Sequence, residues 1–154
     1  MSASICDLFY KTLNRSSLSE ILRIENDVHV SPWSKQKFLT CLDNDLYRHM
    51  GLYENKRLIG YAVLQVIPPE AELHNFAISR AFQNRGLGTL FLSKLIDLCA
   101  KSGLEKLFLE VRENNAAAIS VYQNTGFIQV GLRRRYYQSR TITESALLFM
   151  LKID

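Results

Sequence analysis

The chain has 154 residues, 47% hydrophobic and 22% charged, which suits one domain spanning 1–154 and excludes a disordered tail or low-complexity linker. The net charge of +4, from 19 basic and 15 acidic residues, is compatible with a polyanionic partner, while the longest apolar runs, at 146–151 and 61–64, fall far short of the roughly 20 residues that cross a bilayer. Cys6, Cys41 and Cys99 are odd in number and scattered, which argues against a disulfide framework or a Cys-x-x-Cys metal site, and the first residues lack a secretory leader; a reducing cytoplasm is expected.

Residues 5–12 alternate loosely and predict a strand. Ser16 and Ser17 offer N-cap hydroxyls with Glu20 following, and Leu18, Ile21, Leu22, Ile24 and Glu25 continue at helical spacing to about 28. Pro32 disfavours a helical Ser31, so the chain breaks there, and Ser34 can cap a second short helix through Leu42. Strands are expected near 46–54, 58–67 and 71–79, separated by turn residues at 54–56 and by Pro68 and Pro69. Leu87, Leu90, Phe91, Leu95, Leu98 and Cys99 predict a helix to Lys101, stopped at Ser102-Gly103. A buried strand follows at 107–111. Asn114 and Asn115 can cap an alanine-rich helix that Gly126 stops, and strands near 127–136 and 141–153 close the chain. An antiparallel meander followed by a strand-helix-strand-helix-strand run argues for a mixed α/β or α+β sheet.

The junction Gln83-Asn84-Arg85-Gly86-Leu87-Gly88-Thr89 lies where a strand gives way to a helix. Glycines there let backbone approach a ligand, and the first helical N–H groups lack intrahelical partners, so the junction can hold phosphate. Position 91 is Phe rather than a third glycine, and Gly-Lys-Ser/Thr is absent, which removes a dinucleotide site and a nucleotide P-loop. A plain strand-to-helix turn remains the structural alternative.

This junction resembles the acyl-CoA signature of the GNAT acetyltransferases, Q/R-x-x-G-x-G/A after a strand. The stretch from Leu109-Glu110-Val111-Arg112 through Asn115-Ala116-Ala117-Ala118-Ile119 to Tyr122 and Gly126-Phe127 is similar to the RimI branch, the ribosomal-protein-alanine N-acetyltransferases, as are Ser31-Pro32-Trp33-Ser34 and Arg134-Arg135-Tyr136-Tyr137. The resemblance implies a seven-stranded, mixed and mostly antiparallel sheet with about four helices, in the order β-α-α-β-β-β-α-β-α-β-β. It also implies acetyl-CoA as donor: Phe76 and Ile78 meet the pantetheine arm, Gln83, Asn84, Arg85, Gly86, Leu87, Gly88 and Thr89 hold the pyrophosphate, and Asn115 meets the cofactor while capping its helix.

Acetyl transfer to an amine needs a proton acceptor for the nucleophile and a donor for the departing thiolate. The resemblance assigns Glu110 as base and Tyr122 as acid, both expected to point toward one cleft. Glu113 and Glu72 are alternative bases or binders of the substrate ammonium, and Trp33, Glu72, Tyr136 and Tyr137 are the candidate acceptor contacts. The implied acceptor is a protein N-terminus, that of the eighteenth small-subunit ribosomal protein, and the implied state a monomer or weak dimer. An enzyme acting on lysine or a small amine, and a non-catalytic acyl-CoA sensor, stand as rivals. Arg133-Arg134-Arg135 reads first as a solvated strand end; direct nucleic-acid binding through it is not expected. His29, His49 and His74 sit on different elements without metal-ligand spacing, and no metal is expected.

Overall fold

A computed structural model describes residues 7–138 and 143–154, and side chains at all of these except 137 and 138. The elements follow the expected order: β1 (Leu8–Thr12), α1 (Leu18–Val28), α2 (Lys35–Leu42), β2 (Tyr47–Glu54), β3 (Arg57–Ile67), β4 (Glu70–Ile78), α3 (Leu87–Lys101), β5 (Lys106–Arg112), α4 (Ala116–Asn124), β6 (Ile128–Gln138) and β7 (Thr143–Lys152). Cys6, the expected strand's first residues at 5 and 6, and those of the last strand at 141 and 142 lie outside the described residues. The strands form one mixed, mostly antiparallel sheet in the order β1-β2-β3-β4-β5-β7-β6. β4 and β5 run parallel, and α3 is the crossover that a parallel pair requires.

The start of α1 differs from expectation. Ser17 is buried with φ −90° and ψ −3° and makes no side-chain cap bond. Instead Asn14 Oδ1 accepts the Ser16 N–H at 2.9 Å, opening a 3₁₀ turn (Arg15–Ser17) that runs into the helix. The other two caps form as the sequence predicts. Ser34 Oγ accepts from the Lys37 N–H at 3.1 Å, and Asn115 Oδ1 from the Ala118 N–H at 3.2 Å.

By its packing the chain falls into two compact units, the first holding residues up to Val66 with His74–Gly88, the second Ile67–Leu73 with Thr89–Asp154. In the first, Leu18, Ile21 and Ile24 on one stripe of α1 join Phe38, Leu58, Tyr61 and Val63 in a core. Phe38 and Tyr61 meet edge to face at 6.0 Å. Glu25, one turn on from Ile21, shares that stripe and is 1% exposed. In the second unit α3 buries Phe91, Leu92, Leu95 and Cys99, β5 buries Leu107, Leu109 and Val111, and β7 adds Ala146 and Phe149. Each large side chain so buried contributes about 1.5–3 kcal/mol.

Candidate active site

In the first unit, a 3₁₀ turn (Arg80–Phe82) follows β4, and Gln83 Nε2 donates to the Ile78 carbonyl at 3.0 Å, folding the junction back onto the strand end. Asn84 has φ 62° and Gly86 φ 76°, with α3 beginning at Leu87. Left-handed residues this close to a helix start turn main-chain N–H groups toward a common concavity, which suits an anion. A Cβ on Gly86 would meet nothing within 4 Å, so the positive φ, and room for a ligand, account for glycine here rather than crowding. Leu87 is buried and anchors the helix start, leaving its main chain for a ligand. Arg85 pairs with Glu54 at 3.3 Å and lies 5.5 Å over the Phe82 ring, so its side chain is held by the protein.

The β4–β5 ladder pairs Glu70 to Leu73 with Lys106 to Leu109 and goes no further, although β4 continues to Ile78. Phe76, half-buried, and Ile78, buried, lie in that continuation. Phe76 and Ile78, the expected pantetheine contacts, therefore stand on the strand that leads directly into the turn.

The second unit carries the proton-handling candidates. Along β5, Leu107, Leu109 and Val111 are buried while Phe108, Glu110 and Arg112 share the half-open face. Glu72 pairs in register with Phe108, so its side chain belongs to the same face as Glu110. Glu110 Oε1 lies 3.4 Å from Arg133 Nε, and the Arg133 guanidinium lies 5.0 Å over the Tyr136 ring. Glu110 and Gly131 both pair with Leu148, which places β7 between them. Arg133, two residues beyond Gly131, reaches the carboxylate across that strand.

Tyr122 is 7% exposed, its ring 5.9 Å from Phe127 and 6.4 Å from Phe149. Phe149 pairs with Leu109. Tyr122 therefore packs on the side of β5 that carries Leu109, away from the side that carries Glu110. The alternation of the strand explains this, since Leu109 and Glu110 must point to opposite sides. Glu113 is taken up locally: its Oε1 accepts the Ser145 N–H at 3.0 Å and its N–H donates to the Ser145 carbonyl at 3.0 Å. Arg112 bonds Glu144 at 2.9 Å, and that bond with one from Asn114 holds the Glu144 carboxyl below its ordinary pKa.

Of the acceptor candidates, Tyr136 is 51% exposed on β6, next to Arg135, whose φ of 54° marks the shift in the β6–β7 register. Tyr137 pairs through its main chain with Glu144, and its side chain lies outside the description. Trp33 is half-buried against Phe38 at 5.1 Å with the Lys37 ammonium 4.2 Å over its ring. His29, His49 and His74 stand apart from one another in their contacts: His29 faces Glu25, His74 bonds Gln65, and His49 is buried with its pKa pushed down by burial. Among the described residues no group of three or more His, Cys, Asp or Glu side chains is suited to a metal ion, and no helix is long and apolar enough to cross a membrane.

Two residues escaped the sequence reading. Arg133 stands in a basic run that reads as a solvated strand end, and Glu25 enters the sequence pattern only as part of a helix. A charged residue on an apolar helical stripe was the available signal for Glu25; nothing local marks Arg133 off from Arg134.

The sequence model described as the Acetyltransferase (GNAT) family matches residues 15–127. The chain is 36% identical over 143 residues to the Escherichia coli (strain K12) [ribosomal protein bS18]-alanine N-acetyltransferase, covering 93% of this chain and 96% of that protein. It is 35% identical over 132 residues to the N-alpha-acetyltransferase RimI of Mycobacterium tuberculosis, covering 82% of each. Its fold superposes on the crystal structure of the ribosomal-protein-S18-alanine N-acetyltransferase from E. coli with a TM-score of 0.90 and 35% identity, covering 96% of this chain and 94% of that one.

Proposed function

This chain belongs to the acetyltransferase (GNAT) family, and we propose that it is a single-domain cytoplasmic enzyme that moves the acetyl group of acetyl-CoA to the α-amine of a protein N-terminus, the N-terminal alanine of the eighteenth small-subunit ribosomal protein. The names of its relatives support the acceptor. The observation that carries the chemistry is the half-open carboxylate of Glu110, paired with Arg133 on the β5 face that it shares with Glu72, because a base for acyl transfer must lie where an acceptor amine can reach it.

Acetyl-CoA supplies the activated thioester carbonyl. Main-chain groups of residues 83–89 hold its pyrophosphate and the end of β4 its pantetheine arm, with Asn115 beside the cofactor. The acceptor ammonium first loses one proton through Glu110 to solvent, which frees the amine lone pair; Glu110 then takes the second proton that the nitrogen sheds as the new N–C bond forms, and Arg133 keeps that carboxylate in one orientation. Tyr122 gives its hydroxyl proton to the sulfur as the C–S bond breaks. Glu72, on the Glu110 face, and the aromatic rings of Trp33, Tyr136 and Tyr137 receive the peptide. We read the transfer as direct: among the described residues, the thiols of Cys41 and Cys99 are buried and pushed up in pKa by that burial, which disfavours the thiolate an acetyl-enzyme would need.

An α-amine with a pKa near 8 is about 2.5 units easier to deprotonate than lysine, roughly 3 kcal/mol, so a carboxylate base suits an N-terminus better. With a panel of N-terminal peptides, Nα-blocked lysine peptides and polyamines, kcat/KM is expected to be highest for the peptide beginning with alanine. A higher value for lysine peptides or polyamines sinks the acceptor assignment.

The phosphate turn has its own test. Gly86→Val puts a branched side chain at φ 76° and over the amides, and is expected to raise the Kd for acetyl-CoA at least about tenfold by calorimetry. An unchanged Kd in a folded variant removes this turn from the cofactor site.

A further inference from the structure

Glu25 is the one carboxylate buried among the described residues, and a leucine would fill its place on the α1 stripe at no desolvation cost. Its oxygens are instead fully engaged. Oε2 accepts the main-chain N–H of Trp33 at 2.9 Å, and Oε1 accepts Asn75 Nδ2 at 3.0 Å together with the hydroxyl of Tyr61, with His29 Nε2 at 3.4 Å. These partners come from the loop after α1, from β3 and from β4.

The loop needs such a point of attachment. Val30 is 87% exposed, Ser31 and Pro32 are exposed, and Pro32 has no N–H to donate. Trp33 N–H gives its hydrogen bond to Glu25 just before Ser34 caps α2, and so holds the loop where it enters that helix. At the other end of the network, Asn75 directly precedes Phe76 on the strand assigned to the pantetheine arm.

We propose that Glu25 is a positioning residue for the transfer reaction: one carboxylate, spanning Trp33 N–H and the Asn75–Tyr61 pair, ties the acceptor loop to the cofactor strand and sets the affinity for the acceptor peptide. This rests on the reading of Trp33 as an acceptor contact. The span, not the charge, is what matters. Glutamine has the same reach and can keep its oxygen on Trp33 N–H while its NH₂ meets the Tyr61 hydroxyl oxygen or a turned Asn75 amide. Aspartate keeps the charge but is one methylene too short to hold both ends.

Trp33 is the chain's one tryptophan, so its fluorescence reports this loop alone. E25Q is expected to keep the acrylamide quenching of Trp33 and the KM for an alanine-initiated peptide within about threefold of the parent, whereas E25D raises KM about tenfold or more, with increased quenching and with kcat and the acetyl-CoA Kd little changed. Should E25D fail to fold, Y61F decides, since it removes one donor and keeps the ring against Phe38; a rise of about threefold in KM is expected. Parent-like quenching and KM in E25D, or in Y61F when it decides, overturns the proposal, as does an E25Q as impaired as E25D or an effect confined to acetyl-CoA binding. If no N-terminal peptide is acetylated at all, the functional reading fails instead, and the quenching comparison still judges whether Glu25 holds the loop.

Discussion

Glu110→Gln is expected to lower kcat by about 100- to 1,000-fold near neutral pH while leaving acetyl-CoA affinity within about twofold, because glutamine keeps the shape of the side chain and removes its capacity to take a proton. The loss should shrink as pH rises. The acceptor α-amine titrates near about 8, so above that pH a growing share arrives already neutral and the base has less to do. Single-turnover rates across pH, beside calorimetric binding of acetyl-CoA, check both parts. Unaltered turnover removes Glu110 from the mechanism and turns attention to Glu72, which shares its face. Glu113 is the weaker substitute, since Ser145 already holds its carboxylate and its N–H.

Tyr122→Phe is expected to cost less, about 10- to 100-fold in kcat with KM for the peptide unchanged. A thiol with a pKa near about 8.5 is a fair leaving group even without help, so the acid contributes less than the base. The ring's contacts with Phe127 and Phe149 persist in phenylalanine, so a collapse in thermal stability is not expected. Stopped-flow release of free thiol measures the step. If Y122F releases thiol at the parent rate, the departing sulfur takes its proton from elsewhere and Tyr122 is a packing residue.

The elements were readable because their signals are local. Ser34 and Asn115 begin their helices through their own side chains, the apolar spacing of α3 follows directly from Leu87 through Cys99, and the phosphate turn carries its own Gly86. Ser17 misled because an asparagine three residues earlier accepts the Ser16 N–H and opens a 3₁₀ turn, which carries Ser17 into helical backbone, where its side chain makes no cap bond. The contacts around the candidate catalytic pair were less readable. Glu110 and Arg133 meet only because β7 lies between β5 and β6, a strand order that neither residue's neighbours encode. Glu25 draws on partners up to 50 residues away, so the sequence shows the oddity of a buried acid without showing what it holds. Opposite faces for Glu110 and Tyr122 could have been anticipated on one side only: strand alternation fixes Glu110 against Leu109, but the face on which α4 packs depends on tertiary structure.

Transfer of the acetyl group to a main-chain α-amine is the step on which the acceptor assignments depend. It is tested most directly by one peptide that begins with alanine and carries an internal lysine, incubated with the enzyme and acetyl-CoA and then sequenced by fragmentation mass spectrometry. A single added acetyl is expected, on the fragment containing the first residue. Acetyl found on the lysine side chain, with the N-terminus left free, would contradict it.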